Sequence, residues 1–153
     1  MSPFTEAEDI GREKFKSWLE TIKATDVYFT EDTYCAVDCS FTYEGVRYAT
    51  EIKVRAEKYK DYATHMLELG KLEGMKSYRK DNDLDAMLYC CFFGDYLYIY
   101  RLDNNYETET WKLVKTTAED RGMRNKDIIW LEATKALKYF RNGEKWESYG
   151  EHK

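Results

Sequence analysis

Alternating apolar and polar positions predict a β-hairpin in the first half of the chain, over residues 34–55. Both arms are rich in Tyr, Phe, Val, Ile and Thr, and Glu44-Gly45 lies between them, which is typical of a two-residue turn. With that turn, the register places Asp38 opposite Glu51. Facing residues lie about 4.5–5.5 Å apart at Cβ, so both carboxylates could reach one cation.

The same register divides the side chains of the hairpin between two faces. One face is mainly apolar and is predicted to carry Val37, Cys39, Phe41, Tyr43, Val46, Tyr48, Thr50 and Ile52. The other face is predicted to carry Ala36, Asp38, Ser40, Thr42, Arg47, Ala49, Glu51 and Lys53. The second face therefore sets two carboxylates and a lysine side by side.

Helical periodicity predicts two amphipathic helices, over residues 5–23 and 62–80. Thr5 and Glu8 form the sequence pattern of a capping box at the start of the first helix. Glu8 also lies on the apolar stripe of that helix, so it could either cap the helix or point inward. In the second helix Lys71 takes a position where an apolar residue is expected. It could reach a site or lie along the edge of the core with its ammonium group in solvent.

The remaining apolar runs predict short strands, at residues 24–29, 87–93, 96–101, 111–115 and 127–131. The run at 87–93 is continuously apolar, as expected of a strand covered on both faces. Residues 116–126 predict a polar loop, and residues 133–140 a final helical turn or an extended edge. From Asn142 onward the chain is polar, and we expect it to be loosely held.

Length and composition indicate a single folded domain, residues 1–153. Apolar residues make up 43% of the chain and aromatic residues 16%, which excludes a disordered chain. No signal peptide or membrane span is visible, so we expect a cytoplasmic protein. Without a C-x-x-C pair, the four cysteines (Cys35, Cys39, Cys90 and Cys91) are expected to be buried, reduced thiols. A zinc site built from both pairs is the alternative.

The net charge of −5 does not favour a general nucleic-acid binder. The charges are unevenly distributed, however. Residues 1–34 carry eight acids and four bases, whereas residues 52–80 carry eight bases and four acids. A basic surface beside an acidic site is compatible with phosphate binding, and equally with a solvated helix face.

Asp38, followed thirteen residues later by Glu51-Ile52-Lys53 on the facing strand, resembles the motif of the PD-(D/E)XK nuclease superfamily. Val37 stands where the family has its proline, so only the aspartate of the first half matches. The predicted element order extends the resemblance over residues 5–101. It implies an α/β (α+β) fold with a restriction-endonuclease-like core, a central mixed sheet flanked by helices in the order α-β-β-β-α-β-β.

The resemblance also implies a function, hydrolysis of DNA phosphodiester bonds with Mg²⁺ (or Mn²⁺). Asp38 and Glu51 would hold the ion, and Lys53 would assist attack by water. Glu8 would extend the metal site, and Lys71 would act as a further catalytic residue. We expect the DNA backbone to be contacted by Lys71, Arg55, Arg121 and Arg124.

Other functions stay open. The chain could be a catalytically inactive nuclease-like binding module of a phage or mobile element, engaging a protein or a nucleic acid. It could also be a subunit whose partner supplies DNA specificity. Asp38, Glu51 and Lys53 could form only surface salt bridges, each worth about 0–1 kcal/mol. A homodimer is a further option, since cutting both strands commonly requires two active sites.

Overall fold

The computed structural model describes residues 5–32, 34–102, 109–114 and 123–150. In this part of the chain there are two α-helices and ten strands. The helices are α1 (Glu6–Ile22) and α2 (Leu69–Asp81). The strands are β1 (Thr25–Phe29), β2 (Cys39–Tyr43), β3 (Val46–Arg55), β4 (Thr64–Glu68), β5 (Ala86–Phe93), β6 (Tyr96–Leu102), β7 (Glu109–Val114), β8 (Met123–Glu132), β9 (Leu137–Asn142) and β10 (Lys145–Tyr149). Short 3₁₀ turns lie at Glu57–Asp61 and Ala133–Lys135.

Seven of the strands form one mixed sheet, in the order β1-β2-β3-β5-β6-β9-β10. Its neighbours are antiparallel except β3 and β5, which are parallel. The other three strands form an antiparallel sheet in the order β4-β8-β7. The fold is therefore α+β, with a central mixed sheet and two helices, and the prediction is confirmed at this level.

Both faces of the large sheet are covered. On one face α1 buries Phe15, Trp18 and Leu19 against the even-numbered residues of β5. On the other face α2 and the small sheet pack against the odd-numbered residues of β5. All eight residues of β5 are buried, so the prediction of a strand covered on both sides is confirmed.

The hairpin has the predicted register. β2 and β3 pair from Tyr43 with Val46 to Cys39 with Thr50, around a turn in which Glu44 and Gly45 both have positive φ. The predicted placement of Val37 on the same face as Cys39 is wrong. Val37 packs in the core on the α2 side and Cys39 in the core on the α1 side, because the chain before β2 is not a strand.

The second helix is shorter than predicted. The expected helix over residues 62–80 begins only at Leu69, and most of its first seven residues form β4. His65 and Leu67 are the buried residues of β4, at the spacing of a strand, and the strand pairs with β8. Lys71 consequently lies in the first turn of α2.

The C-terminal region is more ordered than predicted. The polar tail from Asn142 was expected to be loose, but it forms β10, which pairs with β9. Trp146 in β10 is buried, and its indole N–H donates to Ser17 Oγ in α1 at 2.7 Å. Residues 133–140 contain a 3₁₀ turn and most of β9. β8 begins at Met123, inside the predicted polar loop, and the predicted strand at 111–115 corresponds to β7.

Two glycines allow the helices to approach the sheet closely. A Cβ atom on Gly11 in α1 would lie 2.9 Å from Val54 Cγ2 and 3.0 Å from Ile52 Cγ2. A Cβ atom on Gly74 in α2 would lie 2.6 Å from the Cβ of Ala36. The backbone of α1 therefore lies against the end of β3, and the backbone of α2 lies against the segment that precedes β2.

We expect Gly74→Ala to lower the free energy of unfolding by about 1–3 kcal/mol, because the added methyl group overlaps Ala36. The matched control is Gly70→Ala on the same helix, where a Cβ atom meets nothing within 4 Å. That variant should be unchanged or more stable by up to about 1 kcal/mol. Urea unfolding of both variants measures the difference, and equal effects would contradict this close packing.

Candidate functional site

Asp38 lies directly before β2 and is fixed to β3. Its backbone N–H donates to the carbonyl of Thr50 at 2.8 Å. Its carboxylate Oδ2 accepts a hydrogen bond from the backbone N–H of Ile52 at 2.7 Å. The side chain of Asp38 thus takes the place of a backbone acceptor at the end of the β2–β3 ladder, next to Glu51.

Glu51 is a buried residue of β3, with 7% of its surface exposed. It neighbours the carboxyl group of Asp38, which acts on it both by charge and by a hydrogen bond. Lys71 Nζ lies 3.8 Å from Glu51 Oε1. Lys53, two residues further along β3, is exposed and close enough to act on Glu51 by its charge. The structure therefore brings these four predicted residues together.

Burial, together with the charge of the neighbouring Asp38, raises the pKa of Glu51 to about 8. Lys71 and Lys53 oppose the rise but do not cancel it. Glu51 therefore keeps its proton over much of the neutral range. A cation placed between the two carboxyl groups would favour loss of that proton.

The carboxyl groups lie in a cleft of about 300 Å³ at one edge of β3. β2 pairs with β3 only as far as Thr50, whereas β5 pairs with β3 as far as Arg55. The last residues of β3 therefore have a strand on one side only, and the cleft occupies the other side, next to the first turns of α1. A second cavity of about 200 Å³ shares Glu51, Lys53 and Lys71 with the cleft and extends to Arg55.

Glu8 lines the cleft but caps its own helix. Its Oε1 accepts from the backbone N–H of Thr5 at 3.1 Å, and its own N–H donates to Thr5 Oγ1 at 3.2 Å. The predicted capping box is confirmed. The role of Glu8 as a metal ligand stays a prediction.

Of the three arginines predicted to contact DNA, the structure describes the side chain of one, Arg55. Arg55 lines the second cavity together with Tyr89. Arg121 lies outside the described residues. Arg124 lies in β8, and its side chain is outside what the structure describes.

Sequence reasoning missed Arg12. Its Nη2 lies 3.3 Å from Asp38 Oδ1, and it lines the cleft. A signal was available, because Arg12 follows Glu8 by four residues and so lies above it on the same side of α1.

The carboxyl oxygens in the cleft are the type of ligand that a hard divalent cation prefers. Mg²⁺ takes oxygen ligands and usually keeps several waters, so one or two carboxylates are enough to hold it. Asp38 and Glu51 provide such oxygens. Within the described ranges no group of three or more His, Cys, Asp or Glu side chains is arranged to hold a metal ion.

The cysteines are free thiols. Cys39, Cys90 and Cys91 are buried and Cys35 is half-buried. Burial raises the pKa of Cys39 and of Cys91 to about 12, so these thiols stay protonated. The predicted reduced, mainly buried state is confirmed, and the zinc alternative has no grouped ligands in the part of the chain that is described.

Comparisons with known proteins identify no relative: no family model, no curated protein and no solved structure matches this chain. Among the described helices, none is long and apolar enough to cross a membrane.

We expect Glu51→Gln to stabilise the metal-free protein, and more so as the pH rises. The pKa of Glu51 is about 8 in the folded chain, against an ordinary value of 4.5 for a glutamate in the unfolded chain. Between these values the folded state holds a proton that the unfolded state has lost, so stability falls with rising pH. At pH 8.5 the gain from the substitution should exceed that at pH 5 by about 3–4 kcal/mol.

Denaturant unfolding at both pH values measures this difference. The matched control is Glu73→Gln, which removes an exposed carboxylate from α2 and should show no comparable pH dependence. A gain for Glu51→Gln that is the same at pH 5 and pH 8.5 would contradict the raised pKa.

Proposed function

We propose that this protein is a Mg²⁺-dependent nuclease that hydrolyses DNA phosphodiester bonds. The observation that carries the proposal is the meeting of Asp38 and Glu51 in one cleft, with Lys53 beside them on β3. Two converging carboxyl groups and a lysine are the chemical groups that the D…ExK motif requires.

Each group has a role that follows from its position. Asp38 and Glu51 would hold the cation, which would neutralise charge on the phosphate and make a bound water more acidic. Lys53 is exposed at the cleft, where its ammonium group can orient water or stabilise developing negative charge. Lys71 lies 3.8 Å from Glu51, and with Glu51 holding a cation its ammonium group would be available to a phosphate.

The architecture supports the same proposal. Helix α1, the strands β1 to β3, helix α2 and the strands β5 and β6 follow one another in the order that the resemblance implies, with β4 as an insertion. A restriction-endonuclease-like core would place the motif on β2 and β3, between two helices, which agrees with the position of the cleft.

DNA is the favoured substrate because cations surround the carboxyl groups despite the net negative charge of the chain. Lys53, Lys71 and Arg55 line the second cavity, and the two lysines also line the cleft. This local positive charge would attract a phosphate backbone. Arg121 and Arg124 remain predicted backbone contacts.

One observation favours a nuclease-like binding module as the second candidate. Asp38 already has a cationic partner within the chain, Arg12, and Glu51 keeps its proton over much of the neutral range with Lys71 nearby. The site would therefore carry little net negative charge without a metal ion. A protein that binds no Mn²⁺ but captures DNA or a protein would select this candidate.

Glu51→Gln and Asp38→Asn should each abolish Mg²⁺- or Mn²⁺-dependent cleavage of single-stranded and duplex DNA. Lys53→Met should lower the rate by about 100-fold, since it removes one stabilising charge. The control Glu73→Gln should cut like the parent protein. Persistent cleavage in both carboxyl variants, with circular dichroism showing that they are folded, would remove this mechanism.

Mn²⁺ affinity should rise with pH between about 6 and 8, by up to about tenfold per pH unit, because binding displaces the proton on Glu51. Calorimetry in two buffers of different ionisation enthalpy should detect about one proton released per ion at pH 6.5. An affinity that is independent of pH would contradict the displacement of a proton from Glu51 on binding.

A further inference from the structure

The direction of the Asp38 side chain is not set by a strand. β2 begins one residue later, at Cys39, so the alternation of a pleated strand does not apply at Asp38. The neighbours on either side, Val37 and Cys39, pack in opposite cores. Contacts from other elements must therefore hold the carboxylate beside Glu51.

Arg12 provides one of these contacts from α1. Its Nη1 donates to the carbonyl of Thr30 at 2.7 Å. Its Nη2 lies 3.3 Å from both Thr30 Oγ1 and Asp38 Oδ1. The guanidinium also lies over the ring of Phe29, 5.8 Å from its centroid, and only 14% of the Arg12 side chain is exposed. The contacts with Thr30 and Phe29 thus orient the guanidinium group independently of its contact with Asp38.

Thr30 joins the same segment to the end of β1. Its backbone N–H donates to the carbonyl of Asp38 at 3.0 Å, and its hydroxyl donates to the carbonyl of Val37 at 2.7 Å. Arg12 and Thr30 together bridge α1 to the residues that precede β2. With the N–H of Ile52 on Oδ2, both oxygens of Asp38 are held, one from α1 and one from β3.

We propose that Arg12 is a positioning residue for metal binding: it holds Asp38 facing Glu51, and so strengthens the binding of a divalent cation although it is itself positively charged. This inference rests on the proposed function. A planar guanidinium suits the task because its fork of donors reaches several acceptors at once, which an ammonium group cannot reproduce. Residues that hold a metal ligand in place typically contribute about 10–100-fold to metal affinity.

The positive charge of Arg12, taken alone, predicts the opposite effect on cation binding. A positive side chain next to a cation site repels the ion, so its removal should tighten binding if repulsion dominates. Lys16 offers a matched control, because it lies one turn further along α1 and is exposed. Arg12→Gln and Lys16→Gln remove the same charge from the same helix, but only the first removes the contact with Asp38.

The experiment is a calorimetric Mn²⁺ titration of the parent chain and of Arg12→Gln, Arg12→Lys and Lys16→Gln. Arg12→Gln should weaken binding by at least about 10-fold, and Arg12→Lys by about threefold or more. Lys16→Gln should stay within about twofold of the parent, since an exposed charge is screened by salt. Circular dichroism reports whether each variant is folded.

If Arg12→Gln does not fold, Arg12→Lys decides the question through its own loss of affinity. A parent chain that binds Mn²⁺, together with Arg12 variants that bind equally well or more tightly, would overturn the positioning role and leave the proposed function intact. A parent chain without Mn²⁺ affinity would overturn both.

Discussion

The candidate site depends on the hydrogen-bond register between β2 and β3. Side chains alternate along a strand, so a slip of one residue would turn Glu51 toward the α1 core, away from Asp38. The register is held at the turn by Glu44 and Gly45, which both adopt positive φ, and by apolar side chains packed on both faces. A buried carboxyl group is unfavourable by itself. The large cores on either side stabilise the strand that carries it.

The unequal lengths of the two hairpin strands create the cleft. β2 has five residues and β3 has ten, so β3 continues beyond its antiparallel partner and is supported on the other side by β5. The close approach of α1 at Gly11 brings one helix against this end of β3, and Lys71 of α2 reaches Glu51 on the same strand. The carboxyl groups and the lysines therefore lie together at the edge of β3 that β2 leaves unpaired.

The hairpin and the buried strand could be predicted because their signals are local. A Gly-containing turn with alternating arms fixes the register of β2 and β3, and eight apolar residues in succession identify β5. β4 was missed because its two buried residues, His65 and Leu67, form too short an alternation to distinguish a strand from a helix. β10 was missed because Trp146 is its single buried residue, so its assignment depends on packing against α1.

The carboxyl pair was likewise predictable, but the contacts around it were not. The hairpin register predicted that Asp38 and Glu51 face each other, but Asp38 is held there partly by a contact with Arg12 that spans twenty-six positions and depends on how α1 docks. His65 shows the same limit. Its sequence context gives no role, yet its ring is buried and bonds to the hydroxyl of Tyr100 and the carbonyl of Tyr59. Contacts between segments far apart in the chain leave no periodic pattern in the sequence, so they could not be predicted from it.

The bond between Trp146 and Ser17 has a consequence for biosynthesis. It joins α1 to β10, 129 positions later in the chain. During translation α1 emerges long before β10 exists, so the surface that it presents to Trp146 stays uncovered until β10 has been made. The nascent chain can form its central hairpin early and pack α1 on it, but the contacts that fix α1 to β10 form only later. The wall of the cleft that α1 provides is therefore completed after the strands that carry the carboxyl groups.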